Sequence, residues 1–172
     1  MLQKCRKMLR NEKGLTLIEL LAVVVILGII AAIAVPSIGA LIDNSKRDAH
    51  VANARQMINS TKLAVASDKD LQPTSETDDK YISLKYLIDS GYIEDITDKS
   101  KDPNGFGYVT ATTPETTFEA PNGVSYVKIE TTDGKQFTYS VKLVSEDGDD
   151  DYGITTEVSE TSLDRESATA NQ

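Results

Sequence analysis

The chain has one cysteine, one histidine and no tryptophan in 172 residues. Cys5 alone cannot close an internal disulfide, and one Cys with one His cannot supply the ligands of a zinc site. With three Phe and no Trp, a large aromatic core or a base-stacking platform is disfavoured. Positive charge is also scarce. Lys and Arg number 18 against 27 Asp and Glu, a formal charge of −9, which does not support a nucleic-acid binder of the basic-patch kind. No glycine-rich phosphate loop is present, and scattered carboxylates and hydroxyls do not make a catalytic constellation. An enzyme is not expected.

What is present is unevenly distributed. Hydrophobic residues at 40% and charged residues at 26% are the averages of an ordinary globular domain. Those averages hide a split: Lys4, Arg6, Lys7, Arg10 and Lys13 crowd the first residues against Glu12 alone, and from Leu15 to Ile42 the one charged residue is Glu19. Beyond Asp43 the chain is polar and acidic. From Leu15 to Val35 the polar interruptions are Thr16 and Glu19, and as a helix this run spans roughly 30 Å, the thickness of a bilayer's hydrocarbon core. A helix apolar on every face suits a membrane better than the small core the remaining chain can build. The basic stretch before it places the N-terminus on the cytoplasmic side.

Ala32-Ile33-Ala34 has the form of a signal-peptidase site, although the apolar run exceeds the roughly 7–15 residues of a secretory signal. A plain single-pass anchor is the other simple alternative. Neither accounts for Glu19. A carboxylate in a membrane helix costs about 2.5–3.5 kcal/mol at the centre and less near an interface, so Glu19 either snorkels to the cytoplasmic face or finds a cationic partner. A cut between Gly14 and Leu15 creates one: a free α-amine four residues upstream, positioned to neutralise the carboxylate of a neighbouring subunit.

The segment Lys13-Gly14-Leu15-Thr16-Leu17-Ile18-Glu19, with the apolar helix that follows as far as Pro36, resembles the class III leader and N-terminal helix of type IV pilins and of the related secretion and competence pseudopilins. The resemblance implies that a prepilin peptidase cuts after Gly14 and methylates the amine of Leu15, which stands where the family most often has Phe. Glu19 then becomes the fifth mature residue. Cys5 is lost with the leader, and the mature 158 residues keep 13 basic and 26 acidic side chains, a charge of −13. Gly28, Pro36 and Gly39 interrupt helix propensity, at about 1 kcal/mol for Gly and about 3 for Pro. Membrane helices tolerate such residues. The family reading gives Gly28 and Pro36 a role in packing within a filament.

The implied fold is α+β, a long N-terminal helix packed on a small antiparallel sheet. The implied function is a structural subunit of a type IV pilus serving adhesion, motility or surface interaction. The alternatives are a pseudopilin of a type II secretion or DNA-uptake system and, in another class, a non-assembling membrane-anchored binding domain. Expected partners are other copies of the chain in a helical polymer, the peptidase, an assembly ATPase and a polytopic platform protein. Direct DNA binding is not expected, although Lys99, Lys101 and Lys128 leave room for a local basic patch. Expected localisation is a single-pass membrane precursor, then a cell-surface filament. The lack of a mature disulfide departs from many Gram-negative pilins and suits a Gram-positive source.

The rest of the chain divides by pattern. Residues 1–14 are the leader, 15–42 the membrane or filament-core half of one helix, and 43–66 its amphipathic half. In that half Val51, Ala54, Ile58, Thr61 and Val65 form an inward stripe. His50, with no second His or Cys nearby, is expected to be an exposed helix residue rather than a ligand or pH sensor. Residues 67–158 form the head. A polar loop at 67–80 precedes a short helix capped by Ser83 and stopped by Gly91, and a turn at Lys101–Tyr108 follows. Strands are expected at Tyr108–Thr112, Val124–Thr131, Gln136–Val144 and Tyr152–Val158, with Asp133-Gly134 as a tight hairpin turn. Residues 159–172 read as a disordered tail. Asn59-Ser60-Thr61 matches a glycosylation acceptor but lies on the expected helix. No cofactor is expected. The one metal candidate is Asp147, Asp149 and Asp151, which have the spacing of the first three ligands of a calcium loop, although Tyr152 and Val158 occupy the positions where such a loop needs Gly and Glu.

Overall fold

The computed structural model describes residues 17–97, 99–103, 105–112, 114, 116–117, 123–147 and 150–169, without the side chains of 117, 146–147 and 150–151. The chain divides after Leu41 into two compact units. Helix α1, Leu17–Ser67, begins in the first and ends in the second.

In the first unit every large apolar side chain of α1 is exposed, and Val23, the least so, keeps 49% of its surface. This helix is long and apolar enough to cross a membrane. In the second unit the same helix turns amphipathic. His50, Val51, Ala54, Met57, Ile58, Thr61, Ala64 and Val65 are buried, which includes all five residues of the expected stripe. Asp68, whose amide donates to the Ala64 carbonyl, and Gln72, whose Nε2 donates to that of Val65, satisfy carbonyls that the helix end leaves open.

The stripe packs against a five-stranded antiparallel sheet of order β2-β1-β3-β4-β5, formed by β1 (Lys80–Ser83), β2 (Thr116–Thr117), β3 (Tyr126–Thr131), β4 (Phe137–Asp147) and β5 (Asp150–Ser159). Alternation sets the faces: Val127 and Ile129 of β3 and Val141 and Leu143 of β4 are fully buried in one core with Met57 and Ile58. This is the α+β arrangement expected from the sequence. Helix α2, Leu84–Asp89, starts where Ser83 Oγ accepts from the Tyr86 amide, and ends at Gly91 with φ 75°. Leu84 and Leu87 are its buried face.

Three expectations about strands and their connections fail, each for a physical reason. Strand β1 lies in and just after the stretch read as a polar loop, because Lys80-Tyr81-Ile82-Ser83 is too short to show alternation against its acidic flank, yet pairs along its whole length with β3. Tyr108–Thr112 is not a strand. Tyr108 makes an isolated bridge to Ser145, and Val109 links β4 to Ser125 through two backbone bonds, so the segment is an extended strut. The β3–β4 connection is a five-residue loop rather than a two-residue turn: Thr131 pairs with Phe137, and the Asp133 carboxylate accepts from the Lys135 and Gln136 amides.

The tail also departs from expectation over its described part. Residues 160–162 and 165–167 form 3₁₀ turns, the second closed by an Asp164–Ser167 capping box. Leu163 and Ala168 are buried, Arg165 forms a bidentate pair with Asp48 of α1, and Thr169 exchanges both backbone bonds with Gly153. Two apolar residues in a polar stretch are enough to order it when the fold offers each a socket. Gly153 itself sits at φ 94° and close against β4, where a Cβ would collide with the Leu143 carbonyl oxygen. Leu163→Ala should therefore destabilise the full chain by about 2–5 kcal/mol, read as a lower urea midpoint in detergent solution. A disordered tail would tolerate the change.

Candidate functional site

The N-terminal residues singled out by sequence lie partly within the described structure. The Gly14–Leu15 cleavage point lies outside it. Glu19 is exposed in the first turn of α1, where a carboxylate also complements the positive end of the helix dipole. Gly28 and Gly39 are helical, and a Cβ on either would meet nothing within 4 Å. Neither glycine is therefore required by packing within the chain. Pro36 sits inside α1 without ending it.

The head contains a polar cluster that sequence reasoning missed. His50, expected to be exposed, is completely buried. Tyr108 and Asp102, which the turn after α2 brings against α1, are nearly so, at 3% and 4% exposed. Tyr108 Oη lies 2.8 Å from both His50 Nδ1 and Asn53 Nδ2. The other ring nitrogen, Nε2, is 4.0 Å from Asp102 Oδ1. Asp102 Oδ2 accepts from the amides of Phe106 (2.9 Å) and Gly107 (3.0 Å) and from Ser145 Oγ (2.5 Å). Burial pushes the His50 pKa below its ordinary value; Asp102 opposes this and Lys46 reinforces it. Burial likewise raises that of the Tyr108 phenol. A usable signal was present: His50 stands four residues before Ala54, on the buried stripe, so its period pointed inward.

An Asp–His–Tyr chain resembles a proton relay, but no side chain in it reaches solvent to meet a substrate. Its chemistry is structural, tying α1 to the 101–108 segment and to β4. A second polar cluster lies on the sheet around Lys128, whose Nζ is 2.7 Å from Glu130, 3.0 Å from Asp79 and 3.9 Å from Glu157. Burial alone would lower the Lys128 pKa, and hydrogen bonds to Glu130 and Asp79 outweigh it and hold the pKa above its ordinary value. Tyr126, bonded to Glu157, is pushed up to about 12, mainly by burial. Lys101 pairs with Glu94 at 2.9 Å, so two of the three lysines of the suspected basic patch are already matched by carboxylates. Asn59 lies on α1, the helix expected there, and is exposed, whereas Thr61 is buried with its hydroxyl donating to the Met57 carbonyl.

The calcium candidate, with Asp149 and the side chains of Asp147 and Asp151, lies outside the described residues. Among the described residues no group of three or more His, Cys, Asp or Glu is placed to hold a metal.

The comparisons bear on the N-terminal segment. The family model for the prokaryotic N-terminal methylation motif matches residues 9–35, the class III prepilin leader of type IV pilin-like proteins. No curated protein and no solved structure gave a match to the chain. The match covers the last six residues of the leader, from residue 9 to Gly14, then Leu15, Glu19 and the apolar helix as far as Val35, and does not extend to the head.

The Asp102 cluster yields a direct prediction. Asp102→Ala leaves the part-buried Phe106 amide, the buried Gly107 amide and the Ser145 hydroxyl without their acceptor, at about 1–3 kcal/mol for each buried group orphaned and less for Phe106. Glu94→Ala, which breaks only an exposed pair, should cost about 1 kcal/mol or less. Urea unfolding of the two variants in the full chain should separate them clearly.

Proposed function

We propose that the protein is a structural subunit of a type IV pilus-like filament. In this reading a prepilin peptidase cleaves after Gly14 and methylates Leu15. The exposed apolar half of α1 holds the precursor in the membrane and then packs against other copies, while the acidic head faces outward. The observation that carries the reading is the methylation motif at residues 9–35, followed by a helix that is apolar and unburied on every side before it becomes amphipathic. Burying such a surface in lipid or in a bundle of identical helices removes the same apolar area from water, so subunits can pass from one to the other.

Glu19 sets the specificity of that exchange. Its carboxylate is a cost in lipid and a gain beside the new α-amine of a neighbouring subunit, so the pair favours a register in which each N-terminus meets the next subunit's Glu19. An assembly ATPase and a platform membrane protein would supply the work of extraction. Calcium at Asp147, Asp149 and Asp151 remains a further proposal of the same reading, with no part in assembly.

Two measurements test it. Mass spectrometry of sheared cell-surface material should find an N-terminal peptide beginning at N-methylated Leu15. The same peptide confined to membranes would favour a pseudopilin, and a chain still beginning at Met1 would sink the mechanism. Glu19→Ala should leave the precursor in the membrane at its usual abundance and abolish filaments, whereas a simple anchored domain would show no difference.

A further inference from the structure

The hydrogen-bond directions around His50 follow from one fixed acceptor. Asn53 Nδ2 lies 3.3 Å from the Lys101 carbonyl, which can only accept, so this amide nitrogen is placed as a donor. The same nitrogen therefore donates to Tyr108 Oη. The phenol's own proton must then go to His50 Nδ1, which leaves the ring neutral with its hydrogen on Nε2, facing Asp102 Oδ1.

Protonating the ring breaks this pattern. An imidazolium carries hydrogens on both nitrogens, so Nδ1 and Asn53 both point donors at Tyr108 Oη. The phenol proton is then left without an acceptor inside the core, where an unmatched donor is costly. Lys46, Asp102 and Tyr108 are charged or titratable groups that face the ring among the described residues. Lys46 stands one turn earlier on α1 and repels a cation; Asp102 and Tyr108 come from the 101–108 segment. From β5 the approaching residue is Gly153, and from β4 Ser145 bonds Asp102; neither titrates. Asp102 favours the imidazolium, but at 4.0 Å, and its other oxygen is already held by three donors.

We propose that His50 is an acid-sensitive latch: a proton on its ring releases Asp102 and Tyr108 from α1 and opens the turn in which Asp102 holds the Phe106 and Gly107 amides, while the rest of the head stays packed. The proposal concerns the head alone and does not depend on filament assembly. A ring kept neutral in the fold, against an ordinary value of 6.5, leaves the latch at full strength above that pH and weakens it as pH falls below.

Because the chain has a single histidine, its ring resonances report this site without ambiguity. NMR of the full-length protein in detergent micelles should show the Nε2–H tautomer at pH 7.5. Hydrogen-exchange protection at Phe106 and Gly107 should fall below pH 6.5 with a slope approaching tenfold per pH unit, the slope of one proton, while that at Ile58 holds. In His50→Gln the protection at Phe106 and Gly107 should no longer change between pH 7.5 and 5. An Nδ1–H tautomer, unchanged protection in the native chain, or an equal pH-dependent loss in His50→Gln would each overturn the proposal. Should that variant fail to fold, the tautomer and exchange of the native chain decide the matter.

Discussion

The head is organised by one surface, the stripe of α1 from His50 to Val65. Burial there is complete for Ala54, Met57, Ile58, Thr61 and Ala64, and the strands that cover it contribute Val127, Ile129, Val141 and Leu143 with no surface left in water. Hydrophobic burial of this kind is the largest favourable term available to a small domain. It also explains why the tail is ordered. Leu163 and Ala168 complete the same core, and once they are seated the bonds to Asp48 and Gly153 follow with little further ordering.

Apolar burial has no direction, however, and a stripe of Ala, Ile, Met and Val would pack nearly as well one turn along. The polar cluster around Asp102 supplies what the stripe lacks. It joins α1, the segment after α2 and β4 through groups whose donors and acceptors are matched in the native arrangement. Buried polar groups of this sort contribute little net energy when satisfied and cost a good deal when mismatched, so their effect falls on the competing registers rather than on the native one. Gly153 belongs to the same constraint. It lets β5 approach the Leu143 carbonyl and brings that strand's backbone to 3.5 Å, at its notional Cβ, from His50 Nδ1.

How much of this was legible in the sequence depended on the length of each signal. The helix, its change from uniformly apolar to amphipathic, the two long strands and the Ser83 cap were visible because each rests on a repeating pattern or a residue with one strong preference. β1 was hidden because four residues cannot display a period, and the tail because its two anchors sit among Ser, Thr, Asp and Glu. The N-terminal features were legible as a linear motif, and the family match falls on those residues. The Asp102 cluster was legible only in part. Position 50 lies on the buried stripe, but Asp102, Tyr108 and Ser145 are up to 95 residues away from it, and long-range polar pairing leaves no local pattern.

The two halves of α1 show opposite ways of using the same helix. In the head, each unfavourable choice is offset nearby: Thr61, a poor helix former, returns its hydroxyl to the Met57 carbonyl, and buried His50 is matched by Tyr108. In the apolar half, Gly28, Gly39 and Pro36 weaken the helix, and among the described residues a Cβ at either glycine would meet no neighbour within 4 Å. An alanine at each would strengthen the isolated helix by about 1 kcal/mol. If the proposed filament forms, the compensation for these residues would come from its other subunits. Of the available surroundings, lipid chains conform to any side chain, whereas another helix rewards a missing Cβ with closer backbone approach. In the proposed filament the two glycines would let a neighbouring helix approach closely, a contribution of a different physical kind from the charge of Glu19.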